Sequence, residues 1–307
     1  MSKSKFLTYL EYTIILIVEK IITFLPSIMK SLLVKGVSYL TFCVAFSLRK
    51  FAKNNLEIAF GKTKTSKEIN EIRLKCFLNL GKLVFEILGF SKLTPIMLKN
   101  VIHFSGESLE TIKNLSQKGK GIIVISAHYG NWELLGLVIS YLGFKLNIIY
   151  RPLENDLLNG YINDRRKLFN SKLILRKNSF IEGSKALKNN ELLAFLIDQN
   201  QARGGIFVPF FGKLASSPRG PALMAKRFKS PVMGTYIKRN PDSTHTVTFK
   251  EIKLVESSSI KEYLYTNTYN FSNFFEELIR ENPDQWYWFH NRWKTQTKVR
   301  YGKDNLV

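Results

Sequence analysis

Residues 121–133 read GIIVISAHYGNWE, and this stretch decides the fold class and the place to look for a site. Its first part, Gly121–Ser126, is a short apolar run, which is typical of a strand buried on both faces of a sheet. A histidine follows this strand directly, and a glycine follows the histidine two residues later. Asn131 is a suitable N-cap for a helix that we predict over 131–142. The junction between a strand end and a helix start is a common ligand position in α/β proteins.

The chain from about residue 100 onward alternates apolar strand patterns with helical patterns, which indicates an α/β fold with a mixed central sheet flanked by helices. Further strands are predicted at 146–150, 173–175, 192–197, 231–237 and 246–255. Helices are predicted at 66–88, 155–169, 218–228 and 260–281. We therefore divide the chain into an N-terminal helical segment, residues 1–50, and one main domain, residues 51–307.

The N-terminal segment is apolar at alternating steps of three and four residues, which is the spacing of a helix. Its longest apolar runs are interrupted by charges such as Glu11, Glu19 and Lys20, so none reaches the roughly 20 uncharged residues of a simple transmembrane helix. Three arrangements fit this pattern: a helix lying in the membrane interface, a membrane-spanning anchor that tolerates charges, or a buried helical hairpin. We expect membrane attachment in one of the first two forms.

The composition of the 307 residues sets broad limits on function. Forty-six Lys and Arg against 24 Asp and Glu give a formal charge of +22, which suits an anionic membrane surface, a nucleic acid or an acidic substrate. A 45% hydrophobic content excludes a disordered chain. Cys43 and Cys76 cannot form a disulfide scaffold, and no spacing of Cys and His suggests a zinc site, so no metal is expected.

His128 and Glu133 are the first candidates for catalysis. On one regular helix, five residues correspond to about 140° of rotation, so the two side chains would diverge. They can meet only if His128 lies in a loop and the chain turns at Gly130. A carboxylate beside an imidazole fixes its tautomer and stabilises its protonated form, which is the arrangement of a general base. Two simpler interpretations stay open: Glu133 complements the helix dipole, and His128 is a buried polar loop residue.

Four other polar residues are candidates for substrate binding. Arg151 follows a predicted strand, and its planar guanidinium suits a phosphate or a carboxylate, although a surface salt bridge is an equally good interpretation. Asp198 and Gln199 follow another strand and are candidates for orienting Arg151 or the substrate. Arg219 is a weaker phosphate candidate.

Several segments in the same order carry a resemblance to one family. They are 128–133 (HYGNWE), 150–155 (YRPLEN), 197–200 (IDQN), 205–212 (GIFVPFFG), Pro231-Val232 and 282–290 (NPDQWYWFH). The chain resembles the lipid A biosynthesis late acyltransferases, which include lauroyl and myristoyl transferases, within the glycerolipid and lysophospholipid acyltransferase superfamily. The resemblance covers nearly the whole chain, including the N-terminal helical segment.

The resemblance implies that a fatty acyl chain passes from a thioester carrier to a hydroxyl of a lipid A precursor. His128 is then the general base, Glu133 its orienting acid, and Arg151, Asp198, Gln199, Asn131 and Arg219 are the expected substrate-binding residues. Acyl carrier protein, or alternatively coenzyme A, is the implied acyl donor, without a further cofactor. The implied location is the bacterial inner membrane, with the catalytic domain facing the cytoplasm. The resemblance also implies the fold of the glycerolipid acyltransferases, which is α/β with a mixed central sheet.

Two other functions remain as alternatives. The first has the same chemistry on another envelope glycolipid or aminolipid, for example a phosphatidylinositol mannoside. The second belongs to another class, a non-catalytic basic protein that binds a membrane or a nucleic acid. Basic residues spread along the whole chain disfavour the second, so a nucleic-acid partner is not expected.

Overall fold

The computed structural model describes residues 5–296, and its centre is a seven-stranded mixed sheet. The main-sheet strands in chain order are β1 (Ile102–Phe104), β2 (Ile122–Ser126), β3 (Leu146–Tyr150), β4 (Lys172–Leu175) and β5 (Leu192–Leu196), then β8 (Val232–Arg239) and β9 (His245–Ile252). Their spatial order is β1-β9-β8-β2-β5-β3-β4. Strands β8, β2, β5, β3 and β4 run parallel, whereas β9 is antiparallel to β8 and parallel to β1. The predicted fold class is confirmed.

Strands β6 (Gly205–Phe210) and β7 (Lys213–Pro218) form a separate antiparallel hairpin. Neither strand of this hairpin was predicted from the sequence. The residues of β6 alternate between half-buried and buried, whereas β7 has three consecutive buried residues, 215–217.

Helices cover both faces of the sheet. The N-terminal helices are α1 (Lys5–Phe24), α2 (Ser27–Val44), α3 (Phe46–Phe60) and α4 (Ser66–Gly89). The helices among the strands are α5 (Pro95–Val101), α6 (Ser108–Gln117), α7 (Trp132–Tyr141), α8 (Asp156–Arg166), α9 (Ser179–Lys188) and α10 (Gly220–Phe228), and α11 (Ile260–Glu281) follows the last strand. The helix predicted over 155–169 ends at Arg166 in the structure, and a short turn over 168–170 follows it, in which Phe169 and Asn170 adopt positive φ angles that a continuing helix cannot contain.

Two apolar cores lie on opposite faces of the sheet. One packs α5, α6 and α7 against the strands, and the other packs α3, α4, α10 and α11. Trp286, Trp288 and Trp293 are all buried in the second core. The aromatic C-terminal segment is therefore part of the apolar core on this face of the sheet.

The first two helices leave much of their apolar surface uncovered. Large exposed side chains follow one another along both helices, among them Phe6, Leu10, Ile14, Ile17, Ile21, Phe24, Ile28, Leu32 and Leu40. Within residues 5–296, α2 is the one helix that is long and apolar enough to cross a membrane, judged by length and composition. A soluble protein rarely exposes a continuous apolar surface of this extent without a membrane or a partner to cover it.

Candidate active site

The turn between β2 and α7 brings His128 to the carboxyl edge of the parallel strands. Gly130 has a φ of +58°, and a Cβ atom there would collide with the carbonyl oxygen of Ile237, so glycine is required. Asn131 then caps α7, as predicted, because its side-chain oxygen accepts a hydrogen bond from the Leu134 N–H at 3.0 Å. The loop position expected for His128 is therefore confirmed.

Asp198, and not Glu133, is the acid that contacts His128. His128 Nδ1 lies 2.8 Å from Asp198 Oδ1, and the His128 backbone N–H donates to Asp198 Oδ2 at 2.9 Å. The pairing follows from the sheet register, in which Ser126 of β2 lies beside Leu196 of β5. His128 and Asp198 each stand two residues beyond these partners, so adjacent parallel strands deliver them side by side.

The Asp198 carboxylate is buried and held by a third donor. Trp286 Nε1–H donates to Oδ2 at 2.7 Å. Burial alone raises the pKa of Asp198, but the nearby His128 and the hydrogen bonds from His128 and Trp286 bring the pKa below its ordinary value. Asp198 is therefore an ionised acceptor, which makes Nδ1 of neutral His128 the protonated nitrogen.

Glu133 makes a different pair, at the same cavity. Arg166 of α8 donates from Nε at 2.7 Å and from Nη2 at 2.6 Å to the two Glu133 oxygens, a bidentate ion pair. The first turn of α7 directs the Glu133 side chain toward α8, while the orienting position beside His128 is already taken by Asp198. The expectation that Glu133 orients His128 is thus wrong for this structure.

Two aromatic rings fix the plane of the imidazole. The Trp132 ring lies 5.1 Å from the His128 ring, and the Tyr287 ring lies 6.1 Å from it. The Tyr287 backbone N–H also donates to the His128 carbonyl at 2.9 Å. His290 lies nearby, but its Nε2 accepts from the Asn200 backbone N–H at 2.9 Å, so this nitrogen is engaged in a structural hydrogen bond.

A cavity of about 610 Å³ opens in front of His128. One part is apolar and lies between α7 and the sheet, lined by Val124, Leu135, Gly136, Ile139, Leu146, Ile148 and Ala194. The other part is basic and is lined by Arg151, Arg166, Arg176 and Arg219. His128 lines the same cavity with 18% of its side chain exposed. The site therefore combines a space for an apolar chain, a fixed imidazole and a cationic region.

The other predicted binding residues fall into two groups. Arg151, Gln199 and Arg219 line the cavity, as a substrate-binding role requires. Asn131 is completely buried, and its side chain is occupied by the Leu134 N–H and by Glu86, to which its amide donates at 2.7 Å. Asp198 is occupied by His128 and Trp286. The structure does not bring Asn131 and Asp198 to the cavity surface: both side chains are buried and engaged in these contacts, and neither is among the residues that line the cavity.

Helix α1 is joined to this site through α8. Glu19 accepts from Arg165 Nη2 at 2.6 Å and from the Tyr161 hydroxyl at 2.9 Å, and Glu11 accepts from Asn155 at 2.9 Å. Arg165 precedes Arg166, the partner of Glu133. The two acidic residues that interrupt the apolar pattern of α1 thus serve to dock this helix.

We expect Glu19→Ala to lower the midpoint of thermal unfolding by about 4 °C. The change leaves Arg165 and the Tyr161 hydroxyl without their acceptor, and charged, partly buried hydrogen bonds contribute roughly 2 kcal/mol. Differential scanning fluorimetry in one detergent would measure the shift. Glu57→Ala is the matched control, because Glu57 pairs with Lys53 on an exposed helix face at 3.6 Å, where an ion pair is worth well under about 1 kcal/mol. Equal shifts for both variants would show that the Glu19 contacts do not dock α1.

Comparison with known proteins agrees with this site. Residues 1–295 match the family described as bacterial lipid A biosynthesis acyltransferase. The chain is 24% identical over 249 residues to a lipid A biosynthesis palmitoleoyltransferase of Escherichia coli, covering 80% of this chain and 78% of the relative. A lipid A biosynthesis lauroyltransferase of the same organism is 24% identical over 198 residues, 61% of each chain.

One further relative matches over a shorter part of the chain, and its name gives a different acceptor. A phosphatidylinositol mannoside acyltransferase of Mycobacterium tuberculosis is 26% identical over 122 residues, covering 38% of this chain and 39% of the relative. All of these relatives are acyltransferases by name. The family match over almost the entire chain, together with a histidine fixed at the mouth of an apolar cavity, shows that this protein belongs to the bacterial lipid A biosynthesis acyltransferases.

Proposed function

We propose that the protein transfers a fatty acyl chain from the thioester of acyl carrier protein to a hydroxyl of a lipid A precursor. The observation that carries the proposal is the position of His128. Its ring is fixed by Asp198 and lines a cavity that has apolar walls in one part and arginines in another. An acyl chain fits the apolar part, and a phosphorylated acceptor fits the basic part.

His128 acts as the general base in this proposal. With a proton on Nδ1, held by ionised Asp198, the lone pair of Nε2 is the free acceptor. Nε2 takes the proton of the acceptor hydroxyl as its oxygen attacks the thioester carbonyl carbon. The carbon–sulfur bond breaks, and the departing sulfur takes the proton from Nε2. An ester and a free thiol result, and no acyl-enzyme is needed.

The start of α7 offers donors for the developing oxyanion. Within residues 5–296, no hydrogen-bond acceptor is recorded for the backbone N–H groups of Trp132 and Glu133, which begin the helix and border the cavity. The neighbouring Gly130 N–H is not available for this role, because it donates to the Gln285 carbonyl at 2.9 Å. Donors preorganised where charge develops lower the barrier most effectively in a site that excludes water.

The basic part of the cavity suits the acceptor and the donor. Arg151 and Arg219 are exposed and border the cavity, so both are available for the phosphates of a lipid A precursor. Glu133 keeps Arg166 in place beside them rather than acting on His128. An acidic carrier protein is attracted by the same positive region and by the net charge of +22.

The exposed apolar side chains of α1 and α2 support attachment to the bacterial inner membrane. Helix α1 packs on α8, which follows the carboxyl end of β3, the same edge of the sheet that carries His128. A membrane covering these helices therefore lies beside the cavity that takes the lipid. In this arrangement the catalytic domain faces the cytoplasm, where acyl carrier protein is found.

Mass spectrometry of envelope lipids tests the proposed function. A strain that lacks the protein should accumulate a lipid A precursor short of one acyl chain, and the wild-type gene should restore the chain. Purified protein should then transfer an acyl group from acyl carrier protein to this precursor. If acyl-coenzyme A proved a better donor than acyl carrier protein in this assay, only the assignment of the donor would change. An unchanged lipid A with a missing acyl chain on another glycolipid would contradict the proposed acceptor.

A further inference from the structure

A second cleft, also of about 610 Å³, lies at the edge of the sheet opposite His128. It is formed where β2 and β8 begin and β9 ends, with walls from α10 and α11. His128 follows the other end of β2, so the length of the sheet separates this cleft from the catalytic cavity. Nothing in the acyl-transfer mechanism uses it.

The lining of the cleft is strongly basic. Five lysines, Lys118, Lys120, Lys226, Lys229 and Lys253, and two glutamates, Glu251 and Glu256, border it, for a net charge of +3. Lys118 is neutralised by Glu251 at 2.7 Å and Lys226 by Glu256 at 3.2 Å. For Lys120, Lys229 and Lys253, no carboxylate partner is recorded within residues 5–296. Three lysines thus line the cleft without a carboxylate partner in the described part of the chain.

Tyr263 adds an unsatisfied polar group to the wall of this cleft. Its side chain is fully buried, and its hydroxyl has no hydrogen-bond partner within the described part of the chain. Lys226 covers the ring, with Nζ 4.1 Å from its centre. A ligand oxygen that reached this hydroxyl would give it the acceptor that it lacks. A buried donor without a partner is costly to the free protein, and a ligand that supplied an acceptor would remove this cost.

We infer that this lysine cleft binds a soluble ligand with at least two phosphate groups. Three uncompensated ammonium groups exceed the charge of one phosphate, and lysines bind phosphate as point charges. The cleft lies at the sheet edge opposite the one where α1 docks, which favours a soluble ligand over a lipid headgroup. Bound there, the ligand would bridge the starts of β2 and β8 to α11 and stabilise the fold by mass action.

Isothermal titration of the full-length protein in neutral detergent, with tripolyphosphate as the probe, tests the inference. The triple variant K120Q/K229Q/K253Q should bind roughly tenfold more weakly or worse, because three charge-assisted contacts are lost. K62Q/K67Q/K113Q removes three exposed lysines elsewhere and should bind as the wild type does. R151Q/R219Q should also retain the binding, because those arginines belong to the catalytic cavity.

Tyr263→Phe gives a second measurement that does not depend on total charge. The variant should bind tripolyphosphate more weakly, yet unfold at the same temperature as the wild type or a higher one when no anion is present. Equal binding by the two triple lysine variants would overturn the inference. Binding to vesicles of anionic lipid, or to acyl carrier protein, that is lost only in K120Q/K229Q/K253Q while tripolyphosphate binding persists would overturn it as well.

Discussion

Asp198→Asn should reduce kcat for acyl transfer by about 10³- to 10⁴-fold, with little change in the KM of either substrate. The amide can turn its NH₂ group toward His128 Nδ1, which favours the tautomer with the proton on Nε2. The imidazole then has no lone pair at the atom that faces the cavity. In a catalytic triad, the corresponding change of the buried aspartate to asparagine has an effect of about this size. Single-turnover kinetics with acyl carrier protein as donor would measure it.

Two variants complete this experiment. His128→Ala sets the lower limit, because it removes the base itself, and it should leave membrane association unchanged. Asp242→Asn is the matched control, because Asp242 is an exposed aspartate whose side chain accepts from Thr244 of its own turn. Near-normal kcat in Asp198→Asn, combined with a loss of the same large size in Glu133→Gln, would restore Glu133 as the acid that orients His128.

The different roles of Asp198 and Glu133 show which part of the site can be predicted from the sequence. The strand before His128, the turn at Gly130 and the cap at Asn131 are all local features, and each was predicted from neighbouring residues. The partner of His128 is 70 residues away, and it is fixed by the pairing of β2 with β5. The spacing of residues in the sequence contains no information on which strands are neighbours. Glu133, the acid nearer to His128 in the sequence, was therefore predicted as its partner.

A signal for Asp198 was nevertheless present. Residues 192–197 form an apolar run followed directly by the polar pair Asp198-Gln199, much as polar Ser126 and His128 follow the apolar run 121–125. Ligand-binding side chains in such folds gather at the carboxyl ends of parallel strands. Two strands that end in this way are candidates for neighbours. Trp286 could not be found by such reasoning, because it reaches Asp198 from the C-terminal segment through tertiary packing alone.

We expect Gly136 to determine the length of the acyl chain that is transferred. It lies on α7 and lines the apolar part of the cavity. A Cβ atom at this position would lie 3.3 Å from Ile148 Cδ1 and 3.9 Å from Leu146 Cδ2, both on β3. A larger side chain therefore fills space between α7 and the sheet, where the acyl chain of the donor is proposed to lie.

Gly136→Val should shift the preference of the enzyme toward donors about two methylene groups shorter. Each buried methylene contributes roughly 0.8 kcal/mol, so excluding two of them changes the ratio of kcat/KM between two donors by about tenfold or slightly more. Competition between acyl carrier proteins loaded with chains of different length would measure this ratio. Ile148→Ala should act in the opposite direction, because it enlarges the same space.

The two variants are expected to shift the chain-length preference in opposite directions, whereas a general loss of stability would not. Gly160→Val is the control for introducing a branched residue into a helix, since no atom lies within 4 Å of a Cβ at Gly160 and the position is exposed. It should leave the chain preference unchanged. A lower kcat/KM for every donor in both Gly136→Val and Ile148→Ala, without a change in their ratio, would mean that the acyl chain lies outside the cavity between α7 and β3.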